Sequence, residues 1–449
     1  MVIHKNRAVV LGIFLVVLAA AFLSYPGLMT NTGEKTDKTN PGHSPYIPEF
    51  IDAHIEQPKV ALAAPLEKGT GEDTEESGVP NQEEQGKTQP QGADRPSQPE
   101  ERGSSGRKNE ASWLGEQYVL GFYVDKEYGH PSSYSGMVNN AKLISAVAPF
   151  WYRLSPEDGS KLQEHHPYDG FTDEDLKGVI NKAHSQNIEV LMLVHNLLYG
   201  GQANGKELAR QMLKTAESRK VFIDEIEKKI KEYKYDGVNI DIENIPLEDR
   251  DRFSSLMKEL YERLSPQGYK VTVSVPAKTG DNRSNSWSGP FDYKEIGKYS
   301  DYVAIMTYDE HGYSSGPGPV ASYNWVRDVM RYTVKEIPAS KVLIGIPGYG
   351  FDWTVGQKGP RYISYSQAIE TAASRRVDIQ WDNTAKVPYY KYKDDNGKMH
   401  EVWFESKYSL DYKLNIAKEF NTAGIALWRI GLEDKGMWDV IGNRIKAVK

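Results

Sequence analysis

Tyr235-Asp-Gly-Val-Asn-Ile-Asp-Ile-Glu-Asn244 is the stretch from which the fold of this chain is read. Asp236 and Gly237 mark a turn. Val238 to Glu243 then alternate apolar and polar residues with a period of two, the pattern of a β-strand. Alternation puts Asn239, Asp241 and Glu243 on one face and Val238, Ile240 and Ile242 on the other. Asp236 has the opposite parity and reads as a turn residue. Same-face neighbours on a strand lie roughly 6.6 Å apart in Cα, so the carboxyls of Asp241 and Glu243 converge on one small space. Two carboxylates that close cannot both ionise cheaply; one pKa rises, and that group becomes an acid near neutral pH. A polar edge strand carrying carboxylates by chance has the same pattern, so the flanking sequence decides between the two.

Outward from this stretch, strand and helix signals alternate from Tyr118 to the C-terminus. The strands are read at 118–124, 143–150, 188–195, 237–243, 269–276, 302–308, 342–347 and 424–430, with helical patterns at 173–186, 207–233, 247–264, 323–335 and 410–420. Strands regularly followed by helices predict an α/β chain folded as a (β/α)8 TIM barrel. An open doubly wound sheet would need a Gly-rich phosphate turn after its first strand, and Gly121-Phe-Tyr-Val-Asp125 offers none. The gap between strands seven and eight is too long for one helix. It holds a helical piece at 366–373 and strand-like runs at 377–382, 387–393 and 399–404, the last two joined by the hairpin turn Asp394-Asp-Asn-Gly397. A small α+β insertion is therefore expected over 354–408.

The N-terminus is basic at His4, Lys5 and Arg7 and then apolar from Ala8 to Leu23. That run is slightly short of the about 20 residues of a spanning helix. Residues 1–30 read as a signal peptide, with Ala19 and Ala21 as a small-x-small cleavage site, or as a signal anchor that tethers the chain to a membrane through residues 8–23. Residues 31–110 are dominated by Pro, Gly, Glu, Gln and Ser, and such a segment cannot bury enough surface to offset its ordering entropy. They are expected to form a disordered linker ahead of a catalytic barrel over 111–449.

A net charge of −7 argues against a nucleic-acid partner. The absence of cysteine excludes disulfides, thiolate zinc sites, a Cys nucleophile and a lipoprotein anchor. No His/Asp/Glu cluster has metal-ligand spacing, Glu310-His311 being only a loop pair, so neither metal nor cofactor is expected. Barrel enzymes carry their chemistry at the C-terminal ends of the strands. Here those ends hold Tyr123, Pro149-Phe-Trp-Tyr-Arg-Leu-Ser155, His195-Asn196, Met306-Thr-Tyr-Asp309, Pro347-Gly-Tyr-Gly-Phe-Asp-Trp353 and Leu427-Trp-Arg429.

These motifs resemble glycoside hydrolase family 18. The family signature Asp-x-x-Asp-x-Asp-x-Glu fits at Asp236, Asp241 and Glu243 and departs at Asn239, where the fullest pattern has Asp. Met-x-Tyr-Asp on strand six, Tyr-Gly-x-x-Trp after strand seven and Trp on strand eight follow in family order, so the resemblance covers about 118–449. The Ser-x-Gly-Gly of the chitinases is replaced by Val194-His-Asn-Leu197. Pro-Phe-Trp-Tyr-Arg-Leu-Ser, Gly-Val-Asn-Ile-Asp-Ile-Glu-Asn and Trp-Arg-Ile-Gly-Leu-Glu are similar instead to the bacterial spore-cortex-lytic and germination branch, N-acetylglucosaminidases acting on peptidoglycan. The LysM repeats common in that branch are missing.

The resemblance implies the roles. Glu243 protonates the glycosidic oxygen, Asp241 holds the substrate's 2-acetamido group, and Tyr308 donates to its oxygen. Trp428 floors the subsite, with Tyr123 and Met306 packing nearby, while Asp309 and Asn239 support the carboxylates. The nucleophile is then the substrate's own acetamide, an exception to the two-carboxylate scheme. Trp151, Trp353, Trp287 and Trp403 are sugar platforms or core. Asn196 and Arg429 are candidates for substrate contact, and His195 reads as a satisfied interior histidine. The implied partner is an N-acetylglucosamine-containing polysaccharide, peptidoglycan or chitin-like, met by a monomer outside the cell or in its envelope. A chitin-oligosaccharide hydrolase and a non-catalytic sugar-binding barrel are the rival readings.

Overall fold

The computed structural model describes residues 115–449 apart from 128, 166–170, 200 and 202. The expected signal segment, with its apolar run at 8–23, and the linker at 31–110 lie outside the described residues. Among the described residues no helix is long and apolar enough to cross a membrane.

The barrel strands are β1 (Glu116–Tyr123), β2 (Ala146–Pro149), β3 (Glu189–His195), β4 (Gly237–Asp241), β5 (Lys270–Pro276), β6 (Tyr302–Met306), β7 (Val342–Pro347) and β8 (Gly424–Trp428). Each pairs in parallel with the next, and β8 pairs with β1, which closes the sheet. The expected (β/α)8 barrel is therefore present. Both faces of each strand are buried, as a parallel sheet wrapped in helices requires. Leu120, Phe122, Ala148, Leu191, Leu193 and Ala426 fill the interior, while Val119, Val190, Val238, Ile240 and Ile344 pack outward against the helices. Asn239 and Thr272 are register partners inside this apolar interior.

The helical pattern over 207–233 is two helices, Gly205–Leu213 and Ala216–Tyr233. Thr215 breaks them because its extended backbone and its reciprocal hydrogen bonds with Ser218 make it an N-cap. A hairpin that the sequence did not announce, Tyr152–Leu154 with Leu162–Glu164, follows β2, its first strand alongside β3. Asp236 sits at the opposite end of β4 from the strand ends, where its carboxylate accepts from Val190 N at 2.7 Å and lies 2.9 Å from His184 Nε2.

The insertion after β7 is an antiparallel sheet of Tyr349–Thr354, Pro360–Ser364, Gln380–Asp382, Val387–Lys393 and Met399–Phe404, backed by the helix Tyr365–Arg375. It begins at Tyr349 and not at residue 354. The Tyr349, Phe351 and Trp353 side chains share one buried face with Val387 and Trp403. Gly350 lets the neighbouring strand close in, since a Cβ there would stand 2.4 Å from Phe404 Cβ.

Candidate active site

The β3–β4 ladder ends at the pair His195 and Asp241, at the C-terminal mouth of the barrel. Asp241 (3% exposed) and Glu243 (9%) project from that end into a cleft. Leu197, Pro276, Ala277, Trp287, Met306, Tyr308, Asp309, Trp325, Tyr349 and Trp428 form the rest of its lining. Seven of the sequence-derived residues thus converge on one space: Asp241, Glu243, Trp287, Met306, Tyr308, Asp309 and Trp428.

Burial dominates the electrostatics. It pushes the Asp241 carboxyl up to about 7, with a hydrogen bond from Ser274 acting the other way. Glu243 is held well above the ordinary carboxylate range, first by burial and then by the charges of Asp241 and Asp309. Burial raises Asp309 to about 6, against the Tyr349 hydroxyl that donates to its Oδ1. Three carboxyls lining one pocket, each raised by burial, do not all ionise readily at neutral pH, which favours a proton retained among them. Asp241 Oδ1 is buried and has no hydrogen-bond partner among the described residues. Asp309 is left-handed at φ 58°, a conformation uncommon outside glycine and tolerated best by Asp and Asn. Gly345 makes room for the Tyr308 ring: a Cβ there would stand 2.9 Å from Tyr308 Cε1 and 2.4 Å from Ile305 O.

The other sequence-derived residues are placed differently. Asn239 is buried beneath the carboxylates. Its Nδ2 donates to Thr272 Oγ1 at 2.9 Å, and its Oδ1 accepts from Ser274 at 3.1 Å, so Ser274 stands between it and Asp241. The amide satisfies the position without adding a further buried charge. Tyr123 (0% exposed) and Trp151 (2%) do not line the cleft; both donate to Asp125, at 2.8 and 2.6 Å, and pack edge to face. Trp353 (1% exposed) lies in the core of the insertion sheet and has no face to offer a sugar. Trp403 is stacked on Tyr389 at 4.5 Å. Of the four candidate platforms, only Trp287 reaches the cleft.

Asn196 does not point into the cleft either; its side chain bonds the backbone of Glu243. Arg429 is buried against Glu127 at 2.8 Å and Pro131 O at 3.0 Å. His195 is fully buried, stacked on Phe150 at 3.8 Å, and accepts from Leu197 N at Nδ1. Burial drives its pKa well below the usual histidine value, so it is neutral.

Sequence reasoning missed Leu197, Pro276, Ala277, Trp325 and the role of Tyr349. Tyr349 was quoted within Tyr-Gly-x-x-Trp, but nothing local shows that its hydroxyl reaches Asp309. Trp325 lies in the first turn of the helix Tyr323–Glu336. Glu310, next to Asp309, holds that turn by accepting from Ser322 N at 2.7 Å and Ser322 Oγ at 3.0 Å.

Residues 141–433 match the family described as Glycosyl hydrolases family 18. The chain is 32% identical over 318 residues to the putative sporulation-specific glycosylase YdhD of Bacillus subtilis (strain 168), covering 70% of this chain and 72% of that protein. It is 33% identical over 270 residues to the cortical fragment-lytic enzyme of the same organism, covering 59% of this chain and 62% of that one. The crystal structure of the Bacillus megaterium QM B1551 spore cortex-lytic enzyme SleL aligns with a TM-score of 0.66 at 28% identity, covering 74% of this chain and 75% of that one.

Proposed function

This chain belongs to glycosyl hydrolases family 18 and is a glycoside hydrolase, and we propose that it cleaves β-1,4 bonds at N-acetylglucosamine in peptidoglycan with retention of anomeric configuration. The observation that carries this reading is the buried carboxyl of Glu243 beside Asp241, whose buried Oδ1 has no hydrogen-bond partner among the described residues, with Tyr308 lining the same cleft; burial and the neighbouring charges hold the Glu243 carboxyl well above the ordinary carboxylate range. Glu243 donates its proton to the glycosidic oxygen as that oxygen leaves the anomeric carbon. The substrate's acetamide oxygen attacks the same carbon, so the departing bond is replaced by an internal C–O bond. Asp241 Oδ1 accepts the acetamide N–H and offsets the positive charge that develops there. The Tyr308 hydroxyl donates to the acetamide oxygen and aims it. Water then opens the cyclic intermediate from the face the leaving group vacated, and the Glu243 carboxylate takes its proton, restoring the acid. Trp428 supplies an aromatic floor, and Trp287 and Trp325 supply further apolar faces along the cleft.

The cortex-lytic relatives support peptidoglycan as the polymer and the cell envelope as the place of action. In the same reading the catalytic unit spans 111–449, with residues 31–110 as a spacer and residues 8–23 as leader or tether. Purified peptidoglycan and chitin oligomers digested in parallel and analysed by mass spectrometry test it. The expected products carry N-acetylglucosamine at the new reducing end and come from peptidoglycan. Cleavage confined to chitin oligomers overturns the substrate, and inertness on both overturns the activity.

A further inference from the structure

We infer that Asn196 is the positioning residue of the proposed acid, holding Glu243 in place of the missing strand ladder. The inference rests on the proposed role of Glu243 and goes beyond it. β4 ends at Asp241, so Glu243 lies two residues past the last regular pair with β3. There the Asn196 side chain takes over the backbone pairing. Its Nδ2 donates to Glu243 O at 2.6 Å, and its Oδ1 accepts from Glu243 N at 2.8 Å. The second Nδ2 hydrogen goes to Gly205 O at 3.1 Å. Asn196 is 2% exposed, so water does not compete for these bonds.

The residue type is dictated by this arrangement. An amide carries a donor and an acceptor side by side on one planar head, which an imidazole holds on opposite sides of its ring. A carboxylate would turn an oxygen towards Glu243 O, and a hydroxyl is too short to bridge both atoms. The clamp is braced from behind, because a Cβ at Gly205 would stand 2.0 Å from Asn196 O. On the far side of Glu243 the chain turns at once into the left-handed region, Asn244 having φ 50°. The direction of the Glu243 side chain therefore depends on one amide 47 residues away. Proton donation needs the carboxyl within ~2.6–3.2 Å of the leaving oxygen, and a misplacement of about 1 Å costs on the order of 10²-fold in rate.

The test reads Asn196 through Glu243. Asn196→Ala, Glu243→Gln and the parent chain are assayed on an N-acetylglucosamine oligosaccharide, whose leaving sugar needs the proton, and on a dinitrophenyl N-acetylglucosaminide, whose phenolate departs without one and is followed in its first-turnover release, ahead of the water step that also uses Glu243. For Asn196→Ala the expected result is a loss of about 10- to 100-fold in kcat on the oligosaccharide, an unchanged KM, and little loss on the aryl glycoside. Glu243→Gln should show the same selectivity more strongly. Equal losses on both substrates, or no loss on the oligosaccharide, overturn the inference for Asn196. Absence of the selectivity in Glu243→Gln overturns the acid assignment instead, so the two failures are told apart. Asn196→Asp keeps the volume and the bond from Glu243 N while removing the donor to Glu243 O. It should show the same selectivity, and it carries the test if the alanine variant folds poorly.

Discussion

Asp241→Asn should stabilise the folded chain at neutral pH and destabilise it modestly in acid. The parent carboxyl ionises near pH 3.8 when solvated and near 7 in the folded state, because burial disfavours its charge. Below pH 3.8 the group is protonated in both states and contributes nothing. Between the two values only the folded state keeps the proton, so raising the pH progressively favours the unfolded chain. Above pH 7 the group is ionised in both states, and the folded chain carries the full cost of a buried charge. At 1.36 kcal/mol per tenfold change, the span corresponds to a ceiling of about 4 kcal/mol.

Asparagine removes that charge and retains nearly the same shape, but its buried amide has no partner in place of the solitary Oδ1, which costs on the order of 1–3 kcal/mol. The net gain expected at pH 8 is on the order of 1–3 kcal/mol, turning into a loss on the order of 1–2 kcal/mol at pH 4, where the charge term is gone and the cost of the amide remains. Urea unfolding of parent and variant, followed by tryptophan fluorescence at pH 4, 5, 6, 7 and 8, gives the difference at each pH. A difference that does not change with pH, or a variant less stable than the parent at pH 8, would refute the reasoning. A confirmed gain would mark the carboxylate pair as a place where the chain gives up stability for its chemistry.

Three further outcomes follow from the same geometry. Asp309→Asn removes one of the charges that raise Glu243, so Glu243 should lose its proton at lower pH and the alkaline limb of the kcat/KM profile should move down; an unmoved limb would show that Asp309 does not act on Glu243. Removing the N-acetyl group from the attacked sugar takes away the nucleophile itself, so turnover should collapse where binding persists. NMR of the N-acetylated substrate should show the β-anomer first, and an initial α-anomer would exclude retention. A shortened chain beginning at Ser112 should keep its melting temperature and its rate on soluble oligosaccharides, and a large loss of either would show that residues before 112 support the barrel.

The strands were legible because a buried parallel strand is a short apolar run bounded by turns, and that pattern is local. β7 was read at its observed limits, and the other barrel strands began or ended within about three residues of them. The alternation at 238–243 also sufficed to put Asn239, Asp241 and Glu243 on one face, since the side-chain period of a strand is a property of the backbone. What the closed barrel alone decided was the company each side chain keeps. Trp287 and Trp325 reach the cleft while Trp151 and Trp353 are covered, because a ring's exposure depends on what packs over it from distant parts of the chain. Asn239 and Asp241 lie two residues apart, yet Asn239 is satisfied by Thr272 and Ser274 on the neighbouring strand. Asn196 was legible only as a polar residue at a strand end. Its hold on Glu243 exists because barrel closure sets β3 beside β4, and an amide finds its donor and acceptor by proximity in space, which no local pattern encodes.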